Sequence, residues 1–498
     1  MKKSRRKFLR DSACGLTAAA VVNSLDRFSV INAMVQEQQQ LNIASDYKAL
    51  VCVFLNGGSD CNNMLVDLNQ FTTYAATRGD CSTPGATPNL GLTQSMLLPI
   101  GGHFGLHPNL SPEAHNASAL PGLLGPWSQG KLAVLCNYGS LLQPTTKAQY
   151  QTNAGGAFRP YQLFSHSDQV NQQMSSIVKT TGQTGWGGRI ADNTGSLNGV
   201  TVLPMNVSIA GANLFETGVS TRQLAIGTGS LSGVLNLNWS GPASANPFTN
   251  GSAFRQILGF DTSGALIKGA SDTMNSALTA DGVLNAAGQP VLSAFPSATA
   301  LPGSFAAQLR QVASLIKIAP TPVASGGLGM HRQIFFVSLG GFDTHTNETS
   351  SDPTVPGGAG GQGNLLTTLS QAMRAFYDEM VAQGNSNNVT LFTISDFGRT
   401  FQASGSGATS VGSDHAWGSH AFIMGGAVLG GTFYGAYPTL DVNGPDDDGG
   451  KRGRWIPTTS IDQYGATLAN WYGLDPTLMT TVFPNLSKFP TQNLGFLG

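Results

Sequence analysis

Charged residues are scarce in this sequence. Asp, Glu, Lys and Arg make up 11% of its 498 residues, where about 25% is usual. The formal net charge is −1, which argues against binding to nucleic acid through a broad basic face. Hydrophobic residues reach 41%, enough for a large buried core. The sequence therefore predicts a folded protein with a weakly charged surface and argues against a disordered acidic or basic chain.

Long apolar runs and paired cysteines are also missing. No run reaches the roughly 18 apolar residues of a membrane-spanning helix, which excludes a multi-span membrane protein. The five cysteines contain no C-x-x-C pair, so neither a thiolate zinc site nor a thioredoxin-like motif is supported. Cys61 and Cys81 are predicted to lie in loops, and a disulfide between them is a hypothesis for an oxidising compartment.

Basic charge is concentrated at the N-terminus. Six of the 26 basic residues fall within the first eleven positions, where Arg5 and Arg6 form a twin-arginine pair. A weakly apolar stretch, residues 13–22, follows them. This order predicts a twin-arginine secretory signal over residues 1–33; the alternative is a frayed basic helix. The expected partner during export is the twin-arginine translocase, and the expected location is the periplasm or the cell exterior.

Apolar runs that end in glycine or polar turns alternate with amphipathic segments in the mature chain. Such runs are typical of strands buried on both faces of a parallel sheet. Strands are predicted at 49–55, 132–136, 334–339, 389–394 and 421–424, and helices at about 305–318, 365–380 and 460–472. The pattern predicts one layered α/β domain over residues 34–498. Residues 205–325, rich in Ser, Thr, Gly, Ala and Asn, are interpreted as an insertion or cap and not as a separate domain.

Carboxylates and histidines cluster at or near the predicted strand ends. Ligands of open α/β sheets bind beyond the carboxyl ends of strands, so these side chains are expected to converge. The candidates are Asp60, Asp343, His345, Asp396, Asp414, His415 and His420. Oxygen donors with neutral imidazoles suit a divalent zinc, manganese or iron ion, and calcium is kept as a further candidate. Each Asp taken alone is more often a turn residue or a helix cap.

Four motifs, in this order, resemble one exported bacterial family. They are Gly-Gly-Ser-Asp at 57–60, Phe-Asp-Thr-His at 342–345, Ser-Asp-Phe-Gly-Arg at 395–399 and Asp-His-Ala-Trp-Gly-Ser-His at 414–420. The family is labelled domain of unknown function 1501. It is similar to the alkaline-phosphatase-like superfamily, which includes sulfatases. The resemblance implies a three-layer α/β/α sandwich with a mainly parallel sheet and an inserted cap. It also implies an exported metal-dependent hydrolase of phosphate, sulfate or related esters.

The same resemblance implies roles for single residues. Asp60, Asp343, His345, Asp396 and His415 match metal ligands in kind, with Asp414 and His420 as auxiliary candidates. Phe397 stands where the superfamily has a ligand histidine, which leaves three alternatives: one metal site is altered, is absent, or is completed by Asp414 or His420. Ser165 is the candidate nucleophile at a helix start, with Thr145 and Thr146 as substitutes, and a plain N-cap is the alternative role for Ser165. Arg399 is a candidate for holding the anionic substrate, and the alternative is that it pairs with a nearby carboxylate, as such an arginine more often does. The sulfatase signature C-x-P-x-R is missing, which argues against an ordinary sulfatase.

A non-enzymatic function is the main alternative. Phe397 and the short Asp-x-His spacing of residues 343–345 favour an exported protein with a degenerate metal site, acting in binding or extracellular assembly. A carbohydrate-binding module is a weaker third hypothesis, because no aromatic stripe supports it. In the enzymatic hypothesis the partner is an anionic small-molecule or polymer ester.

Overall fold

The computed structural model describes residues 43–79, 90–231, 264–349, 361–405 and 411–498, together with Gln256 and Leu258. The predicted signal, residues 1–33, lies outside the described residues, and so does Cys81. Cys61 is a buried free thiol. Its Sγ lies 3.7 Å from the Gly418 carbonyl oxygen.

The described elements alternate along most of the chain. The strands are β1 Lys48–Asn56, β2 Leu65–Asp67, β3 Leu98–Ile100, β4 Phe104–Leu106, β5 Leu132–Gly139, β6 Asn206–Ser208, β7 Leu224–Ala225, β8 Arg332–Gly340, β9 Val389–Ser395, β10 Arg399–Ser404, β11 Gly412–His415, β12 Ser419–Met424, β13 Phe433–Tyr434 and β14 Thr459–Ser460. The helices are α1 Cys61–Met64, α2 Phe71–Arg78, α3 Leu124–Ser128, α4 Lys147–Thr152, α5 His166–Ser175, α6 Trp186–Thr194, α7 Ala265–Ala287, α8 Ser304–Ile318, α9 Gln362–Ala382, α10 Ile461–Tyr472 and α11 Met479–Val482.

The main sheet has the order β13-β5-β12-β9-β1-β8-β6-β7, and β14 also pairs with β5. Its neighbours are parallel except at β12, which is antiparallel to both β5 and β9. In the register, Val51 pairs with Phe335 on one side and with Leu391 on the other. Because β12 runs in reverse, its first residues lie at the edge where β1, β8 and β9 end.

Helices cover both faces of this sheet. Alternate residues of β1 enter two different cores: Val51 and Val53 face α8 and α9, whereas Cys52 and Phe54 face α6 and α10. A strand with two buried faces needs apolar side chains at every position. This explains the continuous apolar runs and confirms the predicted three-layer α/β/α sandwich with a mainly parallel sheet.

The closing helix α10 begins and ends where its local sequence predicts. The Ser460 side chain accepts a hydrogen bond from the Asp462 backbone, and the Gln463 side chain accepts one from the Ser460 backbone, which makes a capping box. Gly473 ends the helix with φ 114°, a conformation that favours glycine.

Residues 205–325 contribute to the sheet and to one helical layer. β6 and β7 extend the parallel sheet beyond β8, and α8 packs in the core between β8 and α9. The described part of this segment therefore extends the layers and does not only lie over them. The long helix α7 was not predicted, because its many Ala, Gly, Ser and Thr residues give weak apolar periodicity. Among the described helices, we find none with the length and apolar character of a membrane span.

Candidate metal centre

Three histidines and one aspartate converge at the sheet edge where β1, β8 and β9 end. His166 is the first residue of α5, Asp343 and His345 follow β8, and His415 is the last residue of β11. The Nε2 atoms of His345, His415 and His166 lie 3.1, 3.3 and 3.4 Å from Asp343 Oδ1. Three segments that are distant in sequence therefore direct four donor atoms to a common point.

Each imidazole is oriented through its other nitrogen. The three Nδ1 atoms lie within hydrogen-bonding distance of oxygen acceptors: Asp396 Oδ2 for His166 at 2.7 Å, Asp414 Oδ1 for His345 at 3.1 Å, and the Phe164 carbonyl for His415 at 2.8 Å. Because these acceptors carry no hydrogen of their own, each Nδ1 carries the proton and donates it. Each Nε2 then presents a lone pair, as in histidines that bind metal ions through an outer hydrogen bond.

The convergence of lone pairs is unfavourable without a cation. The Nε2 atoms of His345 and His415 are 2.9 Å apart, and both face the carboxylate of Asp343. Donors about 2.0–2.1 Å from a tetrahedral zinc ion are about 3.3 Å apart, close to the spacings here. The donor atoms of His166, Asp343 and His415 all lie within 4.8 Å of one another. The residues therefore fit a single divalent ion.

Arg399 pairs with Asp343 at Oδ1, the same carboxylate oxygen that faces the imidazoles. Its side chain is fully buried, and Nη2 donates to Asp343 Oδ1 and to the carbonyls of Gly57 and Phe342, at 2.8 and 2.9 Å for the carbonyls. Nε donates to the Gly58 carbonyl at 2.9 Å. Burial acts to raise the pKa of Asp343, but the hydrogen bond and charge of Arg399 outweigh it and lower that pKa. The structure thus pairs Arg399 with a nearby carboxylate, the alternative considered for it, and its buried guanidinium links Asp343 to the carbonyls of Gly57, Gly58 and Phe342.

Glycines 57 and 58 let these loops approach closely. Gly57 has φ 117° and Gly58 has φ 84°, backbone angles that residues other than glycine rarely adopt. A Cβ at Gly57 would lie 2.4 Å from the Asp343 nitrogen, and one at Gly58 would lie 2.4 Å from the Phe397 ring. The Gly57 amide also donates to Asp396 Oδ1 at 3.0 Å, so the glycine turn helps to orient the carboxylate behind His166.

Phe397 packs against two of the imidazoles. Its ring centroid lies 4.8 Å from that of His166 and 4.7 Å from that of His415. Burial lowers the pKa of His415, an effect that its hydrogen bond to the Phe164 carbonyl only partly offsets. Neutral imidazole is the form that binds metal ions, so this apolar contact favours ligation.

Asp414 supports His345 and is itself neutralised. Arg452 Nη2 donates to Asp414 Oδ2 at 2.6 Å. Burial acts to raise the pKa of Asp414, but the Arg452 hydrogen bond and charge outweigh it and lower that pKa. Asp414 and Asp396, both predicted as ligands, therefore lie behind the histidines as acceptors for their N–H groups.

Two predicted ligands lie elsewhere. Asp60 caps α1 by accepting from the Asn62 amide at 3.1 Å, and it forms a buried ion pair with Arg78. His420 is buried, and its Nδ1 accepts from the Asn137 amide at 3.0 Å. Burial lowers the pKa of His420 to about 4. Among the described contacts, neither residue touches the four converging donors, so the structure does not bring Asp60 or His420 to the centre.

Ser165 immediately precedes the ligand-type residue His166. It occupies the N-cap position of α5, but its Oγ donates to Asp168 Oδ2 at 2.6 Å instead of capping the backbone. The substitutes have local partners: Thr146 makes the capping box of α4, and Thr145 Oγ1 donates to the Gln143 carbonyl at 2.8 Å. Of the three hydroxyls, Ser165 is the one next to the cluster in sequence.

His166 was not predicted as a site residue. It stands beside the predicted nucleophile, and only eight histidines occur in the chain, which is a weak signal. Its partner Asp396 lies 230 residues away, so no local motif joins the two. Only the packing of α5 against the end of β9 brings them together.

The centre is open to solvent. The side chains of Asp343 and His345 are 48% and 44% exposed. A cavity of about 590 Å³, lined by residues that include Lys48, Lys131 and Trp471, lies at the opposite edge of the sheet. None of the residues lining this cavity belongs to the centre. Because Asp343 and His345 are exposed, a ligand would reach the centre from the surface.

Comparison with family models supports the resemblance over one part of the chain. Residues 323–448 match the family described as protein of unknown function DUF1501. This confirms the resemblance predicted from the motifs. The matched segment contains Asp343, His345, Asp396 and His415, whereas His166 lies outside it. Among curated proteins we find no match.

Solved structures with a loosely similar arrangement include three hydrolase-related or carbohydrate-bound proteins. The PsFucS1 sulfatase from Pseudoalteromonas sp. has 9% identity and a TM-score of 0.32, covering 91% of this chain and 72% of its own. Ps i-CgsB, in complex with k-i-k-neocarrahexaose, has 8% identity and a TM-score of 0.30, covering 89% and 77%. A mutant of the alkaline phosphatase PafA has 10% identity and a TM-score of 0.28, covering 72% and 64%. Since all three TM-scores are below 0.5, the chemistry proposed below rests on this chain's own residues.

Proposed function

We propose that this protein is a metal-dependent hydrolase that cleaves phosphate, sulfate or related esters at a mononuclear centre. One observation carries the proposal: three imidazoles with their Nδ1 protons directed away present Nε2 to the carboxylate of Asp343. A structural zinc site is closed by its protein ligands, whereas a catalytic site keeps a position accessible. Three imidazoles and one carboxylate would fill the four positions of a tetrahedral ion, so an ester oxygen would have to add as a fifth ligand. The exposure of Asp343 and His345 leaves this side of the centre accessible to such a ligand.

The donor set favours a single ion of a metal that is intermediate between hard and soft in its ligand preference, such as zinc. Asp60 is occupied by Arg78, so it does not supply a second centre. Three imidazoles with one carboxylate suit zinc, with manganese or iron as alternatives. Calcium prefers six to eight oxygen donors, and it fits this arrangement poorly. A divalent ion held there would supply Lewis acidity for an ester oxygen.

The chain's own residues supply binding, orientation and a proton acceptor. Ser165 Oγ is the proposed nucleophile, because it precedes His166 and already donates to Asp168. Its attack would form a bond to phosphorus or sulfur while the ester bond breaks. The hydroxyl proton would pass to Asp168 and from there to the departing oxygen, so that the ester leaves as its alcohol. Water would later hydrolyse the ester formed on Ser165 and release the anion. Arg399 contributes by fixing Asp343.

Metal content followed by ester hydrolysis tests this function. The mature protein should be folded in the cell, purified without chelator, and assayed for bound metal and for turnover of 4-nitrophenyl phosphate and sulfate. We expect about one ion per chain. His166→Ala should lose most of this metal and all turnover while staying folded, and the exposed His115→Ala serves as the control. Full metal content in His166→Ala would refute the centre. Metal binding without turnover of a broad ester panel would favour the non-enzymatic alternative.

We also propose export by the twin-arginine translocase, which rests on the sequence of residues 1–33. Replacement of Arg5 and Arg6 by Lys should retain the protein in the cytoplasm. Cell fractionation measures this. An unchanged periplasmic or secreted fraction would refute the proposal.

A further inference from the structure

Arg454 lies beside the metal centre with most of its hydrogen-bonding capacity unused. Its Nε donates to the His415 carbonyl at 3.2 Å, and its guanidinium carbon lies 4.3 Å from the centroid of the Phe164 ring. The Phe164 carbonyl also orients His415. The planar guanidinium is therefore held by the two residues that form one side of the centre.

The backbone at Phe164 is shaped for this arrangement. Phe164 has φ 70°, the left-handed region, which is costly for an aromatic residue and persists only where the surroundings impose it. In this conformation its amide donates to the Gln169 side chain while its carbonyl meets His415. The strained residue thus positions a ligand imidazole with its carbonyl and Arg454 with its ring.

The charge of Arg454 is weakly compensated. Among the described residues, the one carboxylate within ion-pair distance is Asp448, whose Oδ2 lies 4.0 Å from Arg454 Nη1. Asp448 Oδ1 already accepts from the Gly450 amide at 2.7 Å. Of the other nearby carboxylates, Asp414 pairs with Arg452 and Asp343 with Arg399. Asp447 accepts hydrogen bonds from backbone amides, which include that of Arg454 itself. Within the described part of the chain, both Nη groups lack a hydrogen-bond acceptor, and the side chain is 28% exposed.

We propose that Arg454 forms an oxyanion subsite next to the metal centre, which holds an anionic group of the substrate through its Nη donors. The subsite deepens the proposed function and rests on it for the identity of the substrate. Arg454 contacts the backbone carbonyl of His415. The metal-facing atom of His415, Nε2, lies at the other end of that residue, on the imidazole ring. The subsite therefore binds a group adjacent to the reacting ester. The substrate class is an ester that carries a second sulfate, phosphate or carboxylate group.

Anion binding to single-residue variants tests the subsite. Inorganic phosphate and sulfate are titrated calorimetrically into metal-loaded and metal-stripped protein, in the wild type, Arg454→Gln and Arg454→Lys. We expect Arg454→Gln to bind the preferred anion about tenfold more weakly in both forms, because a charge-assisted hydrogen bond is lost. Arg454→Lys keeps the charge without the planar fork, so its affinity should be intermediate. The two anions distinguish a phosphate-preferring from a sulfate-preferring subsite.

Arg159→Gln is the matched control. Arg159 also stacks on an aromatic ring, 4.7 Å from the Tyr150 centroid, and donates to the Tyr150 carbonyl at 2.6 Å. Its described contacts do not include the metal centre, so its loss should leave anion affinity unchanged. Equal affinity in Arg454→Gln and wild type, an equal loss in Arg159→Gln, or no anion binding by the wild type would each overturn the subsite. If the wild-type protein binds no metal, the proposed centre is refuted. A weaker anion affinity in Arg454→Gln would uphold the subsite even then.

Discussion

Glu216 provides a quantitative test of the structure through the pH dependence of stability. Its side chain is fully buried; Oε2 accepts from Asn213 Nδ2 at 2.8 Å, and Oε1 has no hydrogen-bond partner in the described structure. Burial raises the pKa of Glu216 from 4.5 to about 8. At neutral pH the folded protein therefore holds a proton on Glu216 that the unfolded chain has already released.

The sign of the effect follows from proton linkage. A group whose pKa is raised by folding contributes stability that is complete below its unfolded pKa of 4.5. This contribution is lost as the pH rises through the folded value of about 8, because the folded state then binds more protons than the unfolded state. At 1.36 kcal/mol per pKa unit, the whole shift corresponds to about 5 kcal/mol, of which about 3 kcal/mol is lost between pH 5 and pH 8.

Glu216→Gln removes this linkage, because the amide imitates the protonated carboxyl and does not titrate. Urea unfolding at pH 5 and pH 8 should show the variant near the stability of the wild type at pH 5. At pH 8 it should be more stable than the wild type by about 3 kcal/mol. Asp272 is exposed, so Asp272→Asn serves as the control: its free energy of unfolding should change between pH 5 and pH 8 by the same amount as that of the wild type. A stability difference between Glu216→Gln and the wild type that does not change with pH would refute a buried, protonated Glu216.

Three further predictions concern the centre. Arg399→Lys should lower the free energy of unfolding by about 3–5 kcal/mol, because the lysine leaves buried carbonyls and Asp343 incompletely paired. Urea unfolding measures this free energy, and a loss below about 1 kcal/mol would contradict the prediction. Gly57→Ala should weaken metal binding at least tenfold, because the alanine Cβ would displace the Asp343 backbone. Metal titration measures the affinity, and an unchanged affinity would show that the loop carrying Asp343 accommodates the Cβ. Ser165→Ala should abolish ester turnover while retaining the metal; turnover equal to wild type would exclude Ser165 as nucleophile.

The layered fold could be predicted because its signals are local. The strands of the sheet centre are buried on both faces, so each appears as a continuous apolar run in the sequence. Helix α10 carries its start signal in Ser460 and its stop signal in Gly473. Helix α7 escaped prediction because its small and polar residues leave little periodicity, and its position depends on contacts such as that of Leu284 with the core.

The candidate site was only partly predictable. Asp343, His345 and His415 could be selected because they stand next to strand ends, and the structure brings them together. Asp60 stands in an equivalent place, yet its carboxylate turns inward to Arg78, a residue that lies in the next helix. Whether a carboxylate at a strand end faces a ligand site or an internal cation depends on packing that the sequence pattern does not show.

The sequence by itself determined the alternation of strands and helices, the glycine turn at 57–58 and the supply of ligand-type side chains at one sheet edge, because these features depend on short-range periodicity and backbone freedom. Only the tertiary structure decided that His166 joins the centre and that Arg399 supports it from within. It also decided that Arg454 remains available beside it. The physical reason is distance along the chain: a donor is directed to a shared point only when separate loops pack together.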